Sequence, residues 1–254
     1  MNLRITSIPN LISFLKKLKS VDKSVILEIT KDTVFSKVHT ADKSVMKYSS
    51  VFLNDVLEGD VEWEKYSEGK IKIGIIDVTR LMEAFRHFRP EEDVYMELTV
   101  NQVDGQSVST EVKLTSASLD IKLRCADLSL LSYVEDDILK MVHSSESYLS
   151  NFKMYQSDFT TILSLCGLET NSEETLSFDI NQNTVYASGN SFKYKLNIGS
   201  AEINVEDNES IPSIYKNQLS YMEAETCQVY VHSNRIVLLS EQTATSIAIG
   251  LVEK

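Results

Sequence analysis

Residues 27–36 read LEITKDTVFS, and residues 178–187 read FDINQNTVYA. The two stretches align without a gap, and each spells the same plan: a strand, a tight polar turn (TKDT at 30–33, NQNT at 181–184) and a second strand. A repeat this widely spaced exceeds the period of solenoids and points to a duplicated domain.

Outward from these hairpins, hydrophobic periodicity switches between about 2 and about 3.6. SVILEIT, TVFSKVH, SVMKYSSV, KIKIGII, VYMELTV and SLDIKLR read as strands in the first half. LSFDIN, TVYASG, FKYKLNI, CQVYVHS, RIVLLS and SIAIGLV do so in the second. Four segments carry helical spacing instead. The first, 10–21, gathers Leu11, Phe14, Leu15 and Leu18 on one face and Ser13, Lys16, Lys17 and Ser20 on the other, with Lys19 on the flank. The second, 78–88, buries Val78, Leu81, Met82, Phe85 and Phe88 and turns Arg80, Glu83, Ala84 and His87 outward. The third, 157–168, has Ser157 or Asp158 as its cap and buries Phe159, Ile162, Leu163 and Cys166. The fourth, 213–223, buries Ile214 and Tyr221 and shows Lys216 and Ser220. Pro9 and Pro212 each stand in a Ser-Ile-Pro triplet before a helical pattern, where a missing N–H is tolerated, and Pro90 closes the second helix. Each half therefore reads as helix, strands, helix, strands. Residues 127–151 fit neither period and read as a long connector between domains at 1–126 and 152–254.

A chain of 254 residues, 43% hydrophobic and 24% charged, describes a soluble globular protein. No run is apolar enough for a membrane span, and the opening MNLRITSIPN lacks a signal-peptide core, so a place inside the cell is expected: the cytoplasm, the host's if viral, or the nucleus if eukaryotic. Cys125, Cys166 and Cys227 are scattered without a CxxC pair, as expected of reduced core thiols.

Enzyme signatures are missing. The sequence holds no GxGxxG, no GxxxxGK[ST], no GxSxG and no HExxH, and His39, His87, His143 and His232 stand isolated. The runs Glu91–Glu92–Asp93 and Glu135–Asp136–Asp137 read as solvated surface, and Trp63 reads as packing. No cofactor and no metal are implied.

One charge pattern stands out. The chain carries a formal net charge of −12, yet residues 10–23 hold four lysines against Asp22, and residues 78–89 hold three arginines against Glu83. Lysine-rich helix faces often serve solubility alone. Two basic helices in an acidic chain fit instead a phosphate-backbone contact without sequence readout.

The order of elements, carried by MNLRITSIPNLISFLKKLKSVDKSVILEIT, GIIDVTRLMEAFRHFRPEEDVYMELT, FKMYQSDFTTILSLCGLE and YMEAETCQVYVHSNRIVLLSEQTATSIAIGLVE, resembles DNA polymerase sliding clamps. The resemblance covers essentially the whole chain and is nearest to clamps of tailed phages, with the proliferating cell nuclear antigen type more distant. It implies an α+β clamp fold of two similar domains, each with two helices packed on antiparallel sheets. It implies a homotrimeric ring, no enzymatic activity, and a role as processivity factor on double-stranded DNA, with DNA polymerase and clamp loader as partners. The residues it turns toward DNA are Lys16, Lys17, Lys19, Lys23, Arg80 and His87, with Arg86, Arg89, Lys153 and Lys216 beside them. Helices three and four are nearly uncharged outside, so the second domain, with Lys153 and Lys216, is expected to contribute little. It pairs LDIKLRC (119–125) with FKYKLNI (192–198) of a neighbour, and seats a partner peptide near the connector against Leu128, Leu131, Tyr133, Val134, Ile249 and Leu251, residues whose competing role is ordinary core. A monomeric or heteromeric-ring processivity or checkpoint factor, and an α+β enzyme without a motif, are the competing classes.

Overall fold

The computed structural model describes residues 1–142, 148–168, 174–181, 184–197, 201–203 and 211–252. His143, Gln182, Asn183, Ile198 and Ser210, named above, lie outside these. The chain divides into two compact units, Met1–His39 with Tyr48–Val134, and Thr40–Lys47 with Glu135–Lys254.

The first unit holds strands β1 (Asn2–Ile5), β2 (Val25–Thr30), β3 (Thr33–His39), β5 (Leu57–Glu58), β6 (Lys70–Ile75), β7 (Tyr95–Val103), β8 (Gln106–Thr115) and β9 (Asp120–Arg124), and the larger part of β4 (Val45–Phe52). They run in the order β4-β3-β2-β6-β8-β7-β1-β5, and β9 lies along β8. Helices α1 (Ile8–Lys19), α2 (Leu53–Val56) and α3 (Val78–Phe85) complete it. Helix α1 begins two residues before its expected start, because the Ser7 hydroxyl accepts the Asn10 N–H at 3.3 Å and Pro9 falls in the first turn. Its Leu15 and Leu18 are fully buried in the same core as Val25, Leu27 and Ile29 of β2, and each such burial contributes about 2 kcal/mol. Asp77 caps α3 by accepting the Thr79 N–H at 2.8 Å. Ala84, expected outside, is buried with Phe85. Trp63 packs against this core and meets Tyr66 edge-on at 6.2 Å.

The second unit repeats the plan. Strand β10 (Ser150–Met154) precedes helix α5 (Gln156–Cys166) as β1 precedes α1. Then come β11 (Thr175–Asn181), β12 (Thr184–Ser188), β13 (Lys193–Lys195), β14 (Glu202–Ile203), β15 (Ser213–Tyr215), β16 (Cys227–Val231), β17 (Arg235–Ser240) and β18 (Thr245–Gly250). Strands β13-β12-β11-β15 form one sheet, and β14-β10-β16-β17-β18 run side by side in another. The connector contains helix α4 (Asp136–Val142).

The two quoted hairpins share one register. Leu27 faces Ser36 and Ile29 faces Val34 in β2–β3; at the aligned positions Phe178 faces Ala187 and Ile180 faces Val185 in β11–β12. Their turns are closed alike: Thr30 Oγ1 accepts the Thr33 N–H at 3.0 Å, and Asn181 Oδ1 accepts the Thr184 N–H at 2.8 Å. The neighbouring strands also correspond, since β6 flanks β2 and β15 flanks β11, while β7 flanks β1 and β16 flanks β10. The duplication is thus one of topology and register.

Two expectations are corrected, and several strands are added. Neither Ser157 nor Asp158 caps α5; the N-cap is Tyr155, and Asp158 is fully buried inside the first turn. The expected helix at 213–223 is strand β15 followed by a 3₁₀ segment, Lys216–Tyr221, because Ser213–Tyr215 pairs with Thr175–Ser177 of β11. That pairing overrides a weak helical period. Strands β1, β5, β8, β10, β14 and β15 were not read from the sequence; β8, QSVSTEVKLT, hides its apolar face among polar residues.

Candidate nucleic-acid interface

Helices α1 and α3 pack against each other in the first unit and bury their apolar stripes in the same core. Their basic residues other than Lys17 therefore fall on the surface turned away from that core. Lys16, Lys23, Arg80, Arg86, His87 and Arg89 are exposed, and Lys19 is half-buried. Lys16, Lys17 and Lys19 occupy the last turn of α1, where the helix dipole favours cations. The Val78 N–H donates to the Lys23 carbonyl at 2.9 Å, which ties the start of α3 to the chain just past α1. Asp77 lies within reach of the charges of both Lys23 and Arg80. Hydrogen bonds from Thr79, and more weakly the charges of Lys23 and Arg80, hold its carboxyl below the usual carboxylate range.

Among the described residues, none of Lys16, Lys19, Lys23, Arg80, Arg86 and Arg89 forms a salt bridge. In this they differ from Lys153 and Lys216. Lys153 lies on β10 and meets Glu241 at 2.6 Å, and Lys216 is only 7% exposed and meets Glu174 at 3.0 Å. Both are already matched by a carboxylate. Lys17, expected outward, is 8% exposed because it flanks Phe14 on the helix wheel and shares that buried side. The outward expectation therefore fails for Lys17 and Lys216.

Two basic residues were missed. Lys122 and Arg124 on β9 line one cavity of about 820 Å³ together with Lys23 and Arg80. The alternation in LDIKLRC already set residues 120, 122 and 124 on one exposed face, but nothing local showed which elements they join.

The residues considered for a partner peptide separate. Leu128 and Tyr133 line a cavity of about 610 Å³ in the first unit. Leu128 and Leu131 lie over Gly74, where a Cβ would stand 2.5 Å from the Ala126 carbonyl and 3.1 Å from each leucine. Only glycine lets the connector approach strand β6 so closely. Val134 is buried, and Ile249 is a fully buried core residue of the second unit, so neither presents a surface. Leu251 is half-buried against that second core.

The acidic runs have structural partners. Glu92 accepts hydrogen bonds from the Ser116 and Ser118 hydroxyls, each at 2.6 Å, and Asp93 meets Arg4 at 3.1 Å. The described residues contain no group of His, Cys, Asp and Glu arranged to hold a metal ion, and no helix long and apolar enough to cross a membrane.

No family model matches the sequence, and no curated protein matches it in sequence. Solved structures do match in fold. A proliferating cell nuclear antigen of A. fulgidus, in a structure with the C-terminal region of FEN-1 bound, superposes with a TM-score of 0.67 at 9% identity, covering 100% of this chain and 99% of that one. The antigen from Thermococcus kodakaraensis gives 0.66 at 10% identity over 99% of each chain. A DNA polymerase III beta subunit from Eubacterium rectale gives 0.69 at 11% identity, with 100% of this chain covering 65% of that one. The chain has the sliding-clamp fold.

Proposed function

From a sliding-clamp fold whose first-unit helices carry cations held in no salt bridge among the described residues, we propose a non-enzymatic clamp that encircles duplex DNA and tethers a DNA polymerase. The observation that carries this is the contrast in pairing. Lys16, Lys19, Lys23, Arg80, Arg86 and Arg89 lack a salt bridge among the described residues, while Lys153 and Lys216 each have one. A cation held in no salt bridge is available to phosphates. Interactions of this kind carry no base information, so the energy along the duplex stays nearly flat and the ring slides. Lysine, a flexible hydrated point charge, suits that better than bidentate base readout. The set assigned to DNA is therefore Lys16, Lys19, Lys23, Arg80, Arg86, His87 and Arg89, with Lys17, Lys153 and Lys216 taking no direct part.

Ring closure needs open strand edges, and β9 and β13 are two of those among the described residues. Among the described residues, strand β9 pairs only with β8, and β13 only with β12. By order in the fold, β9 corresponds to β18 and β13 to β4. The Gly250 N–H at the end of β18 donates to the Ser44 carbonyl just before β4 at 2.8 Å. The same pairing repeated between chains, β9 to β13, would close three two-domain copies into a phage-type ring and leave neither edge bare. Partners would be the polymerase and a clamp loader, acting on DNA in the cytoplasm or nucleus. The connector at 127–151 would join clamp domains at 1–126 and 152–254.

The test needs no loader. The protein is threaded onto linear duplex with biotinylated ends, the ends are capped with streptavidin, and the salt is raised before gel filtration. A ring stays bound only when the caps are added after loading. Retention indifferent to the caps would refute encirclement, and light scattering at a single 28.7 kDa chain mass would favour a monomeric factor.

A further inference from the structure

We infer that the cavity between strand β9 and the β6–α3 corner is a binding site for a nucleoside polyphosphate, whose phosphates Lys23, Arg80, Lys122 and Arg124 would hold. These four exposed cations line the cavity of about 820 Å³. None of them forms a salt bridge among the described residues. The carboxylates nearby have other partners. Asp22 accepts the Ser24 N–H at 2.9 Å, and Asp77 accepts the Thr79 N–H at 2.8 Å. Asp120, also exposed on β9, meets Lys113 at 3.5 Å. Four like charges around one cavity repel one another, and a multiply charged anion relieves that repulsion while accepting charge-assisted hydrogen bonds.

The frame carrying these charges is fixed by the backbone. The Val78 N–H donates to the Lys23 carbonyl at 2.9 Å, and the Ser24 hydroxyl donates to the Ile76 carbonyl at 2.8 Å, so the loop after α1 and the turn into α3 are tied at two points. On β9, Ile121 and Leu123 pack against the first core, which leaves Lys122 and Arg124 outward by alternation. The rest of the lining includes an apolar wall of Ile75, Leu81, Val112 and Leu123, and the aliphatic side chain of Ile76 stands 65% exposed beside it. Inorganic phosphate would leave that wall uncovered, and a duplex keeps its bases stacked inside. A nucleotide supplies both parts, a compact chain of phosphates for the cations and a flat base for the isoleucines, and the volume lies within the range of ligand pockets. Such a site goes beyond the proposed function and needs no ring. Lys23 and Arg80 are shared with the set assigned to DNA, whereas Lys122 and Arg124 are not.

The test follows the methyl resonances of Ile75, Ile76 and Leu81 in the full chain, titrated in magnesium-free buffer with ATP, adenosine, inorganic triphosphate and a short DNA duplex. ATP is expected to shift these methyls and to bind about 10-fold tighter than adenosine or triphosphate, because each of those fills only one part of the cavity. Lys122→Ser with Arg124→Ser should weaken ATP by about 10-fold or more, and Lys153→Ser should leave it unchanged. No shift from ATP, triphosphate or adenosine binding as tightly as ATP, or undiminished ATP binding in the β9 variant overturns the site. So does a duplex that moves these methyls when ATP does not, since the cations would then serve DNA alone. The ligand comparison on the unaltered protein stands even if the β9 variant fails to fold. Retention on end-capped DNA is read separately, so its loss would reject the ring and leave this site untouched.

Discussion

Lys37 and Glu28 meet at 3.1 Å with side chains 1% and 0% exposed, beneath Tyr133 of the connector. Lys70 stands 3.6 Å from the other Glu28 oxygen. Neither Glu28 oxygen is aligned for a hydrogen bond, so the attraction is mainly that of charges at short range. Removing one partner leaves an uncompensated buried charge, whereas removing both does not. Glu28→Gln is expected to lower stability by about 3–5 kcal/mol, and Glu28→Leu with Lys37→Met to recover most of that loss. Urea midpoints of the two variants check this. A double variant as weak as the single one would contradict it.

Asp158 is the buried anchor of the edge strand assigned to ring closure. Its carboxylate accepts from the Tyr194 hydroxyl at 2.8 Å and from the Asn197 side-chain amide and N–H at 3.0 and 3.3 Å. The hydrogen bond to Asp158 is also the main reason the Tyr194 phenol is held above its usual pKa. Asp158→Ala leaves those donors without an acceptor and should cost about 2–3 kcal/mol. Since Tyr194 is the central residue of β13, sedimentation should show the proposed trimer shifting toward monomer in this variant relative to the unaltered protein.

The thiols should differ in reactivity. Burial, helped by the charges of Glu225 and Glu241, pushes the Cys227 thiol up to about 12, and burial raises the half-exposed Cys125 less far. A raised thiol pKa means a scarce thiolate, which is the nucleophilic form. At pH 8, iodoacetamide should modify Cys125 slowly and leave Cys166 and Cys227 untouched until the protein is unfolded, as read by peptide mass spectrometry. Rapid labelling of Cys227 in the native protein would contradict the packing.

What could be read in the sequence was whatever local chemistry settles by itself. The hairpins at 27–36 and 178–187 were legible because Thr30 and Asn181 close their own turns, and α1 because Ser7 caps it ahead of a strong apolar stripe. The segment at 213–223 was not, since its first residues follow their pairing with β11, 36 or more positions away in the chain. Glu28, set between Leu27 and Ile29, reads as an outward residue of an alternating strand. Its burial depends on Lys37, Lys70 and the connector, which only the fold assembles. The basic residues were legible as a set but not one by one. Whether a lysine is matched, as Lys216 is by Glu174, depends on residues far away in the chain.

The central claim is that the unpaired cations of α1 and α3 hold duplex DNA through its phosphates alone. Its most direct test is the salt dependence of binding to a duplex, compared between the unaltered protein, Lys16→Glu/Lys19→Glu/Arg80→Glu and Lys153→Ala. The slope of log K against log salt should fall by about 0.9 for each phosphate that the triple variant no longer neutralises, stay the same for Lys153→Ala, and be independent of base sequence. A triple variant that binds DNA with the original affinity and slope would contradict the account.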